Sequence, residues 1–345
     1  MTDFSDREIA RHFIVGFSGD TLEDEPQFKI DLALNPPAGV ILFDRRVHAD
    51  NKGVNIVSPN QLKTLTDGLQ QQTDEPLLIC VDQEGGLVQR LGRRNGFTDF
   101  TSPQQLGEIN DPEVTRQQSG QMALMLKEHG INVNFAPVVD LNRNPENPIV
   151  GKIGRAYGRD PLQVHTHAAA FVEGHRTHSL FTCLKHFPGH GSSAEDSHHG
   201  FVDITKTWDQ DELTPYRSLI QSGHSDMIMV GHLYNRTIDP NYPATLSRAS
   251  IDLLRDKLGY TGIIVTDDLQ MKAISDHYPF EEAICRAINA GIDIIIIGNN
   301  LEYADNLMSR AITSVRHGLE SGWITPEILE KSNQRIDHFL ITAGN

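Results

Sequence analysis

Residues 185–200 read KHFPGHGSSAEDSHHG. Four histidines fall within fourteen residues, among three glycines and two adjacent serines. Two chemistries use such a run. Histidine clusters bind zinc, but no H-E-x-x-H and no nearby cysteine accompanies this one. The chain's first apolar run carries no H-x-H pair either. No metal or other cofactor is therefore expected. The other chemistry is proton transfer. In Asp196-Ser197-His198 a carboxylate and an imidazole stand two residues apart. A carboxylate on one ring nitrogen fixes the tautomer and raises the histidine pKa toward working pH. A proton shuttle needs both effects. The glycines and serines predict a loosely packed loop over 187–200, free to swing over a site and away. A surface loop that is merely rich in histidine is the plainer alternative.

Other reactive residues close apolar runs. Asp82, Asp140, His232 and Asp267-Asp268 each end one, Lys185-His186 lies within another, and Asn299-Asn300 follows the last. Asp and Asn in such places also cap helices or form turns. That reading stays open for Asp140, Asp268 and Asn299. Lys185 is different, because a lysine inside an apolar run must find a partner.

The elements that carry these residues are eight short runs: 12–17, 38–43, 77–82, 132–140, 182–187, 226–232, 262–267 and 292–298. Most are continuously apolar, the pattern of parallel strands covered on both faces. Helices lie between them. Ser58-Pro59, Asp111-Pro112, Asp160-Pro161, Ser247 and Thr325-Pro326 each mark a start. Eight strands alternating with helices predict an α/β fold, a (β/α)8 TIM-type barrel, as one domain over residues 1–345. An open doubly wound sheet would usually show a phosphate-binding glycine loop after its first strand. Here that place reads SGDTLEDE. A barrel does its chemistry at the C-terminal ends of its strands, so the run-ending residues above would share one mouth.

Charge and composition narrow the partners. The formal charge is −16, so neither nucleic acid nor an anionic membrane is the expected partner. No stretch reaches the roughly 18 apolar residues of a membrane span. The first residues are polar and acidic and do not read as a secretory signal. Cys80, Cys183 and Cys285 sit in apolar runs and read as reduced, buried thiols of a cytoplasmic protein.

Four longer blocks carry a resemblance. DQEGGLVQR (82–90), NPENPIVGKIGRAYGRDP (144–161), KHFPGHG with DSH behind it (185–198) and LLRDKLGYTGIIVTDD (253–268) stand in this order. They are similar to the blocks of glycoside hydrolase family 3. Within that family the chain resembles the single-domain bacterial β-N-acetylhexosaminidases of peptidoglycan recycling. The resemblance implies that Asp267 is the catalytic nucleophile, His198 the general acid/base and Asp196 the carboxylate orienting it. It implies that Asp82, Arg90, Arg155, Lys185 and His186 bind substrate. The implied activity is retaining exo-β-N-acetylglucosaminidase action on cell-wall muropeptides carrying GlcNAc-anhydroMurNAc.

Retaining glycosidases set a nucleophile and a proton donor on opposite sides of the sugar. A loop histidine as the donor avoids repulsion between two carboxylates. Only Trp208 and Trp323 are tryptophans, and neither lies near an expected strand end, which favours a pocket for one terminal sugar over a long cleft. Two departures, Leu87 in DQEGGLVQR and Gln270 after TDDL, bear on substrate preference. The alternatives are a phosphorylase using the same site, a β-glucosidase or xylosidase of the broader family, and an inactive sugar-binding barrel. A monomer acting on a small sugar or muropeptide, without nucleic acid or membrane, is the expectation.

Overall fold

The computed structural model describes residues 4–46, 54–196 and 200–343. Eight parallel strands form its centre: β1 (Phe13–Val15), β2 (Gly39–Ile41), β3 (Leu78–Val81), β4 (Val133–Asn134), β5 (Phe181–Phe187), β6 (Met227–Val230), β7 (Ile263–Thr266) and β8 (Ile295–Ile297). Each pairs with its sequence neighbour, and β1 also pairs with β8, Ile14 opposite Ile296. The ring closes between β7 and β8 through the Val265–Ile294 bridge and the Thr266 N–H donated to the Ile294 carbonyl at 3.1 Å. The chain is therefore the expected (β/α)8 barrel.

The helices outside it are α1 (Pro26–Leu34), α2 (Pro59–Gln70), α3 (Pro112–Glu128), α4 (Pro161–Arg176), α5 (Thr214–Gln221), α6 (Arg248–Asp252), α7 (Phe280–Ala290), α8 (Leu307–Glu320) and α9 (Pro326–Ala343). The start signals work as capping chemistry requires. Ser58, Asp111, Asp160 and Ser247 accept hydrogen bonds from the backbone N–H of Gln61, Glu113, Gln163 and Ser250. Shorter helical pieces, such as Pro103–Ile109, fill longer connections.

Side-chain alternation along the strands divides the core. Ile14, Leu78, Cys80, Cys183, Met227, Met229, Ile263, Val265, Ile294 and Ile296 form one cluster inside the barrel. Ile336 and Leu340 of α9 join it, and the rings of Phe339 and Phe181 lie 4.6 Å apart. Thus α9 packs against the end where β5 begins, opposite the mouth. The other faces, such as Val40, Ile79, Val81 and Ile264, pack outward against the helices. All three cysteines are buried and free.

One strand is shorter than its apolar run. The run 132–140 yields only Val133–Asn134, followed by an isolated bridge from Val138 to Lys185. Pro137 lies between, and without an N–H it cannot continue the ladder.

Candidate active site

The period-2 alternation that fills the barrel also aims the site. Cys80, Cys183 and Val265 point into the lumen. Two residues on, Asp82, Lys185 and Asp267 face the same way at the mouth. They line one cavity together with Arg90, Arg155, His186, Met229, Val88, Ile149 and Ile153.

A charge network forms its wall. Lys185 is buried, and its Nζ donates to Asp82 Oδ1 and lies equally close, 2.7 Å, to Glu84 Oε1. The Arg155 guanidinium grips Glu84 with two hydrogen bonds, 2.8 Å from Nε and 2.7 Å from Nη2. Arg90 Nη2 reaches Asp82 Oδ2 at 3.2 Å. Burial alone would push both carboxyls up. Lys185 and Arg90 at Asp82, and Arg155 and Lys185 at Glu84, overcome it and hold both below their ordinary range. Burial likewise opposes the charge on Lys185, and Asp82 with Glu84 reverses that, so its pKa is raised. Three cations thus face two carboxylates, leaving a positive wall beside Asp267.

Local sequence explains how Arg90 and Glu84 arrive there. After Asp82 the chain makes a small hairpin, Gln83–Gly85 against Val88–Gln89. Gly85 and Gly86 turn it at φ of +97° and +61°, a region costly for other residues. A Cβ on Gly85 would also meet the Thr101 carbonyl oxygen at 2.3 Å. Gln83 Oε1 accepts from the N–H groups of Arg90 and Leu91, which pins the returning arm. Glu84 was not among the residues singled out from the sequence. The available signal was its place two residues after Asp82, on the same face of an extended segment.

His186 is held on both sides. Its Nδ1 lies 2.7 Å from Asp140 Oδ2, and Arg155 Nη2 lies 3.3 Å from its Nε2. Arginine can only donate, so Nε2 accepts and the proton sits on Nδ1. Asp140 Oδ1 also accepts from the backbone N–H groups of His186 and His190. Burial opposes the Asp140 charge, His186 favours it, and the net effect lowers its pKa. Asp140 is therefore neither a helix cap nor a cavity-lining group; it anchors the start of the histidine segment.

Three strand-end residues serve the frame. His232 contacts Thr245 Oγ1 and the Asp268 carbonyl, each at 2.8 Å, through its two ring nitrogens. Asp268 Oδ1 accepts from the N–H groups of Gln270 and Gly298. Asn299 Oδ1 accepts from Ala304 N–H. Asp267 Oδ1 accepts from Asp268 N–H at 2.8 Å. Of the departures, Leu87 is exposed, and Gln270 Nε2 donates to the Glu302 carbonyl.

The segment 187–200 departs from the loosely packed loop expected of it. Residues 187–193 are all buried. Asn147 Nδ2 donates to the His190 carbonyl and to Ser193 Oγ, and Asn144 Nδ2 donates to the Ser193 carbonyl. A Cβ on Gly191 would strike the Leu141 carbonyl oxygen at 1.7 Å. These glycines permit close packing, not swing. Exposure begins at Ala194, and Asp196 is partly exposed. The predicted acid/base His198, with Ser197 and His199, lies outside the described residues. Among the described residues no group of three His, Cys, Asp or Glu side chains is arranged to hold a metal ion, and no helix is long and apolar enough to cross a membrane.

Comparison with known proteins agrees with this architecture. A β-hexosaminidase of Nitrosomonas eutropha is 35% identical over 309 residues, covering 86% of this chain and 83% of that protein. A glycoside hydrolase family 3 β-N-acetylglucosaminidase of Paenibacillus superposes with a TM-score of 0.89 at 32% identity, covering 99% of this chain and 63% of that one. A β-N-acetylhexosaminidase of Beutenbergia cavernae covers both chains fully, with a TM-score of 0.85 at 27% identity. Residues 24–339 match the glycosyl hydrolase family 3 N-terminal domain, and the chain belongs to that family of glycoside hydrolases.

Proposed function

We propose that this protein is a retaining exo-β-N-acetylglucosaminidase. It removes terminal GlcNAc from cell-wall muropeptides such as GlcNAc-anhydroMurNAc, within cytoplasmic peptidoglycan recycling. One barrel supplies every group the reaction uses. The observation that carries the reading is the cavity itself, where Asp267 shares a wall with Asp82, Arg90, Arg155, Lys185 and His186. Asp267 attacks the anomeric carbon, and a strand-end position holds it more firmly than a loop would. Asp82 accepts from sugar hydroxyls while Lys185, Arg90 and Arg155 donate to them, each fixed by its neighbours before substrate arrives. Val88, Ile149, Ile153 and Met229 offer apolar surface to the acetamido methyl. His198, oriented by Asp196, protonates the leaving oxygen and then deprotonates the incoming water.

The test is hydrolysis of p-nitrophenyl β-GlcNAc against the β-glucoside, with and without phosphate. Preference for the GlcNAc substrate with no sugar phosphate formed is expected. Accumulation of GlcNAc-1-phosphate would make the enzyme a phosphorylase. A 2-fluoro sugar should label the peptide containing Asp267, and Asp267→Ala should fold normally yet lose turnover. Label on another carboxylate would refute the nucleophile.

A further inference from the structure

A second polar cluster packs against the buried first half of the histidine segment, and the glycosidase chemistry does not use it. Glu212 lies in the short turn Gln210–Leu213 and is only 1% exposed. Its Oε2 stands 2.5 Å from where a Cβ on Gly189 would be, so it fills the space that glycine leaves. The Gly191 N–H and the Ser192 hydroxyl adjoin it. Yet neither carboxyl oxygen, nor Ser192 Oγ, nor the Tyr216 hydroxyl of α5 has a well-formed hydrogen bond among the described residues. Buried polar atoms seldom stay unpaired.

The charges acting on Glu212 are anions: Asp140 after β4 and Asp209 at the head of its own turn. The nearby cation Arg143 is engaged with Asp211 and Asp209 at the rim. On the segment itself, burial above all holds His190 down to about 4, so it brings no positive charge near neutrality. Burial first, and the two aspartates after it, push the Glu212 carboxyl up to about 8. At neutral pH it is a protonated acid, able to donate as well as accept.

We propose that Glu212 is a positioning residue for the acid/base loop: as a neutral carboxyl it wedges Gly189–Ser192 into the register from which Asp196 and His198 work, and its ionisation in alkali expels that root. The proposal rests on the role assigned to the loop above. The ionisation step only releases a proton to solvent. A buried carboxylate without a cation must then gain water or displace the chain packed on it.

The fold contains its own reporter. Trp208 Nε1 donates to the Pro188 carbonyl at 2.9 Å, at the root of the same segment. In a Trp323→Phe background, Trp208 emission should titrate with a midpoint near pH 8. kcat/KM on a glycoside with a poor leaving group should fall with the same midpoint, mainly through kcat. Glu212→Gln, neutral at every pH, should keep neutral-pH activity and abolish both transitions. Ser192→Ala should move both midpoints upward, because the serine hydroxyl favours the carboxylate. Persistence of the emission transition in Glu212→Gln, its absence from the parent, or a transition unaccompanied by loss of kcat would overturn the proposal. Failure of the acid/base reading shows elsewhere: His198→Ala would then lose equal activity at every leaving-group pKa, whereas the Trp208 titration needs no turnover.

Discussion

Lys185 shows what a single residue can disclose. A lysine inside TCLKHF has to meet a counter-charge, and it meets two, Asp82 and Glu84. Glu84 does the heavier structural task, since it is the more deeply buried and takes two hydrogen bonds from Arg155 where Asp82 takes one from Arg90. Removing one partner of a buried ion pair leaves an uncompensated charge, typically costing about 3–5 kcal/mol. Glu84→Ala should destabilise the protein by about that much in urea unfolding, whereas Asp267→Ala should leave the midpoint nearly unchanged. Equal effects would mean that Glu84 is not the anchor. The sequence named the cations and Asp82, yet not Glu84, because E-G-G reads as turn material. Only the fold reveals that the turn begins one residue after a carboxyl still on the lumen face. Asp140 was ambiguous for a related reason: a strand-end Asp makes a cap or an anchor according to which N–H groups converge on it.

At the scale of elements, all eight strands were legible because continuous apolar runs between capped helices leave few alternatives. What was not legible was packing density. Glycines in PGHGSS suggested freedom, but close approach to Leu141 and Glu212 requires the same residue type. At neutral pH the segment is therefore anchored through Ser193, and exposure begins at Ala194. His198→Ala should slow glycosides with poor leaving groups far more than activated aryl glycosides, since only the former need a proton in the first step. Asp196→Ala should act the same way but more mildly, because the imidazole remains. A leaving-group series in kcat/KM decides both. Ring nitrogens of this element are already engaged: His186 Nδ1 donates to Asp140 and its Nε2 accepts from Arg155, while His190 Nδ1 bonds Ser193 Oγ. Dialysis against a chelator should leave activity unchanged, and loss reversed by zinc would contradict that.

The whole molecule sums these local shifts into a stability profile. Burial dominates at His12, His175 and His190 and holds them near 4, 3 and 4, against an ordinary 6.5. Between about pH 4 and 6.5 the unfolded chain therefore binds three protons at these sites that the folded chain refuses. Stability from them is full above 6.5 and is lost as pH falls. Glu212 has the opposite sign. Its raised folded pKa adds stability that is complete below 4.5 and disappears as pH rises through about 8. From 4.5 to 6.5 the buried histidines outweigh Glu212, and stability rises with pH. From 6.5 to 8 Glu212 reverses the trend, and its contribution declines as pH rises. Below pH 4 the salt-bridged Asp82, Glu84 and Asp140 steepen the acid side, because their lowered pKa values tie stability to the ionised form. The surface opposes this trend: with a formal charge of −16, protonating exposed carboxylates relieves repulsion. That term is screened by salt, while the buried ones are screened much less. In about 0.15 M salt, Tm should peak near pH 6.5, fall steeply toward acid and gently toward alkali. Glu212→Gln should flatten the alkaline arm and steepen the rise between pH 4.5 and 6.5, where the carboxyl opposes the histidines. A peak at or above pH 8 in the parent protein, or an alkaline arm unchanged in Glu212→Gln, would show that the buried acid is not neutral in the folded chain.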